Sequence, residues 1–287
     1  MAINNITVIG SGLMGRGIAQ VAAQGGYKTI MVDINDAILS KAMDNIRAET
    51  EKGVALGKLS AEAREKTLAN LTTSTDIEKA GANADVVIEA VPEDLKIKYD
   101  TFSRLDKACP AHTLFASNTS SLSITEMAAM TKRAPNFLGM HFFNPVHKMK
   151  LLEIVTGLET TAEAVKLASE VGVQMGKEVV VIKESPGMIT SRINAIIGNE
   201  AFHMLEAGVA SAADIDKASK LGLNHPMGPF EMIDLVGLDT RAHILDYLYK
   251  TLGEKFRPAP LFLQYVKAGR LGRKVGRGVY DYPSEKK

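Results

Sequence analysis

Val8-Ile-Gly10-Ser-Gly12-Leu-Met-Gly15 decides the fold. Ahead of it, Ile3 to Ile9 is a short apolar, β-branched run that stops at glycine. Behind it, Gly12 to Gln24 carries apolar residues at helical spacing until Gly25-Gly26 ends the pattern. The stretch is therefore G-x-G-x-x-G at the joint of a strand and a helix. Lys28 to Val32 reads as the next strand and leads into Asp33, 18 residues after Gly15. In that setting each glycine has a task. Gly10 permits the tight turn, Gly12 lets backbone amides approach a pyrophosphate, and Gly15 permits close packing of helix on strand. The first helical residues, Leu13 and Met14, then face the anion with the positive end of the helix dipole. Asp33 is placed to accept hydrogen bonds from ribose hydroxyls, and its charge repels a 2′-phosphate, which favours NAD over NADP. A glycine-rich turn without a ligand is the plainer reading. FAD uses the same fingerprint, so the choice between NAD and FAD falls to the rest of the chain.

Outward from this unit the alternation continues. Asn35 to Gly57 reads as a long charged helix with a break at Gly53, and Ser60 caps another helix through Asn70. Asp85 to Val91 is a buried-type strand closed by Pro92. Lys96 to Ala108 is helical, Thr113 to Ala116 strand-like, Ser123 to Glu126 a capping box, and Asn136 to Phe143 again a strand. Near-continuous apolar strands separated by helices indicate an α/β, doubly wound parallel sheet covered on both faces. After Val179 to Ile182 the pattern changes at Glu184-Ser-Pro-Gly187. Met188 to Leu205, Ser211 to Leu221, Pro229 to Leu252 and Pro260 to Ala268 read as helices, with no convincing strand until the last few residues. The expected domains are therefore 1–185, α/β, and 186–287, all-α.

The 287 residues, 46% hydrophobic and 23% charged, have the composition of an ordinary globular protein, which excludes intrinsic disorder. Lys+Arg 34 against Asp+Glu 33 leaves +1, too balanced for a chain that coats nucleic acid or an anionic membrane. The partner should be a small molecule or another protein. A single cysteine, Cys109, forms no intramolecular disulfide and supplies no Cys-based metal site, which agrees with a reducing compartment, the cytoplasm. The N-terminus lacks the basic region of a signal peptide, and no apolar run reaches membrane-spanning length. No H-E-x-x-H or comparable histidine spacing occurs, so no metal is expected.

A dehydrogenase acting on an alcohol needs a base for the hydroxyl proton, and histidine suits neutral pH. His141 ends a strand, in Gly139-Met-His-Phe-Phe-Asn-Pro145, on the rim where doubly wound sheets place ligands. If the runs on either side of 144–148 fold back on each other, Glu153 comes opposite His141, where a carboxylate would orient the ring and stabilise its charged form. The bland alternatives are a core histidine satisfied by backbone and a solvated strand end. Ser117-Asn-Thr-Ser-Ser121 ends another strand on the same rim. It suits a substrate oxygen or a nicotinamide carboxamide, and equally an ordinary turn. The basic cluster Lys267, Arg270, Arg273, Lys274 and Arg277 reads first as a solvated face and second as a phosphate contact.

Taken together, Val8 to Gly15, Val87 to Ala90, Ser117 to Leu122, His141 to Pro145, Asn224 to Phe230, Asp234 to Asp239 and the 272–282 tail resemble the L-3-hydroxyacyl-CoA dehydrogenases, in particular their bacterial 3-hydroxybutyryl-CoA branch. The resemblance implies a Rossmann-type N-terminal domain and a helical C-terminal domain that makes a homodimer and helps bind substrate. It also implies reversible NAD-linked oxidation of an (S)-3-hydroxyacyl-CoA. Residue by residue, it implies His141 as base, Glu153 as its partner and Ser120 as donor to the substrate oxygen. Glu93, Lys98, Asn118, Asn144 and Lys274 would lie near the cofactor, with Asn144 near substrate too. Ser191 stands where the family commonly has Asn ahead of Arg192, so Ser191 itself or Asn194, three residues on, is the substrate contact. Lys52, with Lys58, is the candidate for coenzyme A. A free β-hydroxyacid dehydrogenase is the second reading. A non-catalytic NAD-binding structural protein, as family members are in eye lens, is the third.

Overall fold

Strand β1 (Asn5–Ile9) is buried from Ile6 to Ile9 and is an interior strand of the first unit's sheet, in a computed structural model that describes residues 3–282. The chain divides into two compact units between Glu184 and Ser185. In the first, β1 is followed by α1 (Leu13–Gln24), β2 (Lys28–Val32), α2 (Asp36–Ala55), α3 (Ala61–Ala69), β3 (Leu71–Ser74), α4 (Ile77–Gly81), β4 (Val86–Glu89) and α5 (Leu95–Ala108). Then come β5 (Leu114–Ser117), α6 (Ile124–Ala129), β6 (Phe137–Phe142), β7 (Leu151–Thr156), α7 (Ala162–Gln174) and β8 (Glu178–Lys183). The strands form one sheet in the order β3-β2-β1-β4-β5-β6-β7-β8, parallel throughout except for the antiparallel pair β6 and β7. Strands β4, β5 and β6 are buried along their whole length, which is why they read as unbroken apolar runs. Ile18, Ala19, Val21 and Ala22 of α1 pack on the sheet, in one core cluster with Ile6, Val8 and Ile88.

Three expectations need correction. The long helix does not break at Gly53: α2 runs on to Ala55, and a Cβ at Gly53 would only make ordinary contact with Leu59. Strand β3 and helices α4 and α7 lie where the sequence pattern indicates no element. β3 is four residues at the sheet edge, too short and too rich in threonine to show a period. α7 does carry a signal, the Thr161 cap ahead of buried Ala164, Ala168 and Val171. The third correction falls in the second unit, where Pro229 to Leu252 is not one helix.

That unit contains α8 (Thr190–Glu206), α9 (Ala212–Gly222), α10 (Pro229–Val236), α11 (Leu238–Leu252) and α12 (Pro260–Lys267). Gly237, with φ +103, separates α10 from α11. The Phe202 ring organises the core, with Phe230, Phe262 and Tyr265 at centroid distances of 5.2, 5.2 and 5.5 Å. Buried Asp216 caps α10 from outside it, accepting the Phe230 and Glu231 amides at 2.8 and 3.1 Å.

Candidate active site

The glycine loop separates what the fold requires from what it leaves open. Gly10 has φ +96, and a Cβ there would stand 2.6 Å from the Ala90 carbonyl oxygen; a Cβ on Gly15 would stand 1.8 Å from the Gly10 oxygen. Both are glycine because backbone packs on backbone. Gly12 differs: its φ is −60, and an added Cβ meets no atom within 4 Å. Nothing inside the protein demands glycine there, so the open space beside it suits a ligand. Helix α1 begins at that point with no side-chain cap and no acid in its first turn, which leaves its positive end bare for a pyrophosphate. Leu13 is more than half exposed at this end, whereas Met14 packs against the core. Asp33 is aimed by Ser11, whose amide and hydroxyl both donate to Oδ2 at 2.7 Å, while the Ile34 amide binds Oδ1 at 2.7 Å. These residues fit a dinucleotide with free ribose hydroxyls.

Strands β6 and β7 pair in antiparallel register with His141 opposite Glu153. His141 Nδ1 lies 2.8 Å from Glu153 Oε2, and both residues are buried. A carboxylate only accepts, so Nδ1 must carry the hydrogen, and Nε2 is left as the basic nitrogen. The Phe143 ring packs on the imidazole at 4.5 Å. At the end of neighbouring β5, Asn118 Oδ1 accepts the Phe142 amide at 2.9 Å, tying the Ser117–Ser121 segment to the histidine strand.

That segment is held by a carboxylate. Glu93 Oε1 accepts from Thr119 Oγ1 at 2.5 Å, from the Ser120 and Ser121 amides at 3.0 and 3.2 Å, and from Ser121 Oγ at 3.0 Å. Glu93 therefore clamps the loop that carries Ser120. Lys98, fully buried, pairs with Glu93 at 3.2 Å and with Glu89 at 2.7 Å. Burial pushes the Glu93 carboxyl up, but the Lys98 ammonium and the hydrogen bonds from Thr119 and Ser121 outweigh it and leave the group below its ordinary value. Glu89 goes the other way, raised by burial despite Lys98. It also accepts from Ser117 Oγ at 2.6 Å and from the Val91 amide at 2.7 Å, next to Ala90, on which Gly10 packs. Glu89 and Lys98 thus tie the Ser120 loop to the segment on whose backbone Gly10 packs.

The first unit matches the model of the 3-hydroxyacyl-CoA dehydrogenase NAD-binding domain over residues 5–185, and the second matches the 3-hydroxyacyl-CoA dehydrogenase C-terminal domain over residues 187–282. The chain belongs to the 3-hydroxyacyl-CoA dehydrogenase family. It is 44% identical to the mitochondrial hydroxyacyl-coenzyme A dehydrogenase of Rattus norvegicus, over 98% of this chain and 91% of that one. It is 39% identical to the 3-hydroxybutyryl-CoA dehydrogenase of Bradyrhizobium diazoefficiens, over 99% and 97%. The crystal structure of the (S)-3-hydroxybutyryl-CoA dehydrogenase of Ralstonia eutropha superposes with a TM-score of 0.96 at 40% identity, covering 99% of this chain and all of that one.

As a member of this dehydrogenase family the chain binds NAD through its first unit, and the geometry sorts the remaining candidates. Asn144 and Lys52 line one cleft of about 860 Å³ formed by α1, α2, α3 and the loop after β6, together with Lys58, Lys66, His147 and Lys148. In the second unit Ser191 and Asn194 lie one turn apart on α8, and Lys274 pairs with Asp239 at 2.5 and 2.6 Å. Sequence reasoning missed Glu89 and Ser11. Glu89 alone had a visible signal, an acid closing the apolar run Val86-Val-Ile.

Proposed function

We propose that this dehydrogenase interconverts (S)-3-hydroxybutyryl-CoA and acetoacetyl-CoA, with His141 as the base for the C3 hydroxyl proton. The buried His141–Glu153 pair carries the reading, because an aligned imidazole and carboxylate at a strand-end rim is what proton abstraction from an alcohol needs. NAD, when bound, supplies the hydride acceptor. His141 Nε2 takes the hydroxyl proton, Glu153 stabilises the imidazolium that results, and Ser120, on the loop clamped by Glu93, donates to the C3 oxygen. The bare N-terminus of α1 and Asp33 hold the dinucleotide, with Glu93, Asn118, Asn144 and Lys274 as further contacts; Lys98, expected near the cofactor, is buried beneath Glu93 and acts through that carboxylate rather than by touching the nucleotide. Ser191 or Asn194 completes the substrate contacts.

The cleft supports a coenzyme A thioester over a free hydroxyacid. Lys52, Lys58, Lys66 and Lys148 around it suit the phosphates of coenzyme A, which a free acid lacks. Ser120, His141 and Glu153, all present, favour an enzyme over a structural protein. For the homodimer, the support is an exposed apolar stripe, Ile189 just ahead of α8 and Ile193 and Ile196 on it. We place the protein in the cytoplasm; among the described residues no helix is long and apolar enough to cross a membrane.

The test is nicotinamide absorbance on mixing the protein with acetoacetyl-CoA and NADH, with NADPH alongside. NADH consumption, and faster reverse turnover of 3-hydroxybutyryl-CoA than of free 3-hydroxybutyrate, is the expected result. Consumption only with NADPH would overturn the role of Asp33. NADH binding without turnover on any of these compounds would overturn the assigned reaction.

A further inference from the structure

Lys177 stands in the turn between α7 and β8 with its side chain buried. Its ammonium donates to the carbonyl oxygens of Val146 and of Met149, the latter at 2.9 Å. Burial lowers its proton affinity, and among the described residues no carboxylate pairs with it to offset the shift. A buried ammonium without a counter-charge works against stability, and the two carbonyls only partly compensate it. Those carbonyls belong to the eight-residue loop, 143–150, that joins β6 to β7 and so joins His141 to Glu153. Within the loop the Pro145 oxygen accepts the Lys148 and Met149 amides at 2.9 and 3.0 Å. Val146 is gripped from its other side as well. Its side chain fills the notch at Gly17 of α1, where an added Cβ would lie 2.9 Å from the Val146 Cβ and Cγ2. The helix whose N-terminus cradles the nucleotide therefore meets the loop at Val146, two residues after Asn144, and Lys177 locks that contact.

We propose that Lys177 is a positioning residue for the dehydrogenase reaction: its ammonium fixes the 144–149 loop against α1 and so sets where Asn144 stands relative to the nucleotide cradle and to His141. The proposal rests on the reading above that this site reduces acetoacetyl-CoA. A purely structural lysine would change stability alone, without altering turnover per nucleotide-binding site.

The experiment compares Lys177→Met and Gly17→Ala with the wild type. It measures kcat and KM for acetoacetyl-CoA, NADH stoichiometry by fluorescence titration, and backbone hydrogen exchange over 144–149 by mass spectrometry. Gly17→Ala pushes on Val146 from the opposite side while favouring the helix, so it tests the same contact should Lys177→Met not fold. The expected result is one NADH per chain in both variants, faster exchange over the loop, and kcat/KM lower by about 10- to 100-fold, the range for a displacement on the order of 1 Å at a reacting centre. Kinetics within twofold of wild type per NADH site, in whichever variant folds, would overturn the proposal. If the wild type itself does not turn over acetoacetyl-CoA, the reaction reading fails instead. Exchange then decides alone: a loop that exchanges as in wild type overturns the role of Lys177, and a loosened loop supports it.

Discussion

Glu153→Gln removes one charge while keeping nearly the whole shape of the side chain, so it isolates what the carboxylate does for His141. The two side chains are buried with Nδ1 and Oε2 2.8 Å apart. As the substrate is oxidised the imidazole becomes a cation, with its charge centre roughly 4 Å from that of the carboxylate. At an effective dielectric of about 20 such a pair is worth about 4 kcal/mol. With the proton about half transferred at the transition state, about 2 kcal/mol of this lowers the barrier, which is roughly 30-fold in kcat. That is the smaller expected loss, for a glutamine that presents its oxygen to Nδ1–H. A glutamine presenting its NH2 group would force the hydrogen onto Nε2 and remove the base, and the loss would then approach about 10⁴. NADH affinity should not change, because the cradle is built by Gly10, Gly12 and Gly15 at the β1–α1 joint and by Asp33 after β2, away from β7. Steady-state NADH absorbance gives kcat, and fluorescence titration gives the dissociation constant. A Glu153→Gln enzyme within threefold of wild type in kcat would refute the electrostatic argument.

Four further outcomes follow from particular contacts. His141→Gln should lower kcat by ~10² to 10⁴ with NADH binding retained, the loss typical of a missing general base; the same two assays check it. Gly12→Ala should fold as wild type, since its Cβ meets no protein atom. The methyl group would crowd the dinucleotide, weakening NADH about 5- to 150-fold if overpacking costs about 1–3 kcal/mol. Gly15→Ala, with its Cβ 1.8 Å from the Gly10 oxygen, should instead lower the melting temperature. Glu93→Gln tests the Ser120 clamp. Because the folded state holds this carboxyl below its ordinary value, the clamp adds stability above the unfolded carboxyl pKa of about 4.3 and loses it as the pH falls through the lower folded value. The melting-temperature gap between wild type and Glu93→Gln should therefore be wide at neutral pH and close in acid. A gap that persists unchanged in acid would contradict the assigned sign.

What could be read from the chain alone was what depends on neighbours a few residues apart. The glycine loop, the caps at Ser60, Ser123 and Ser211, and the apolar strands all carry their meaning within one turn or one alternation, and each stands where its spacing indicated. The register of His141 opposite Glu153 was also legible, because runs that fold back about residue 147 bring 141 opposite 153. The helix break at Gly237 was hidden because the apolar spacing continues across it, and only the backbone conformation there reveals a second axis. The buried lysines were hidden for a deeper reason. Lys98 lies on α5 and Lys177 in a turn, and by local pattern each is one more solvated cation among 34 basic residues. What buries Lys98 is Glu89, at the end of a different strand. What buries Lys177 is a pair of carbonyls 28 and 31 positions away, and carbonyls have no residue type to be seen in a sequence. A charge whose partner is the backbone leaves no sequence signature, so the residues that shape this site from beneath appear only once the loop between His141 and Glu153 has a path in space.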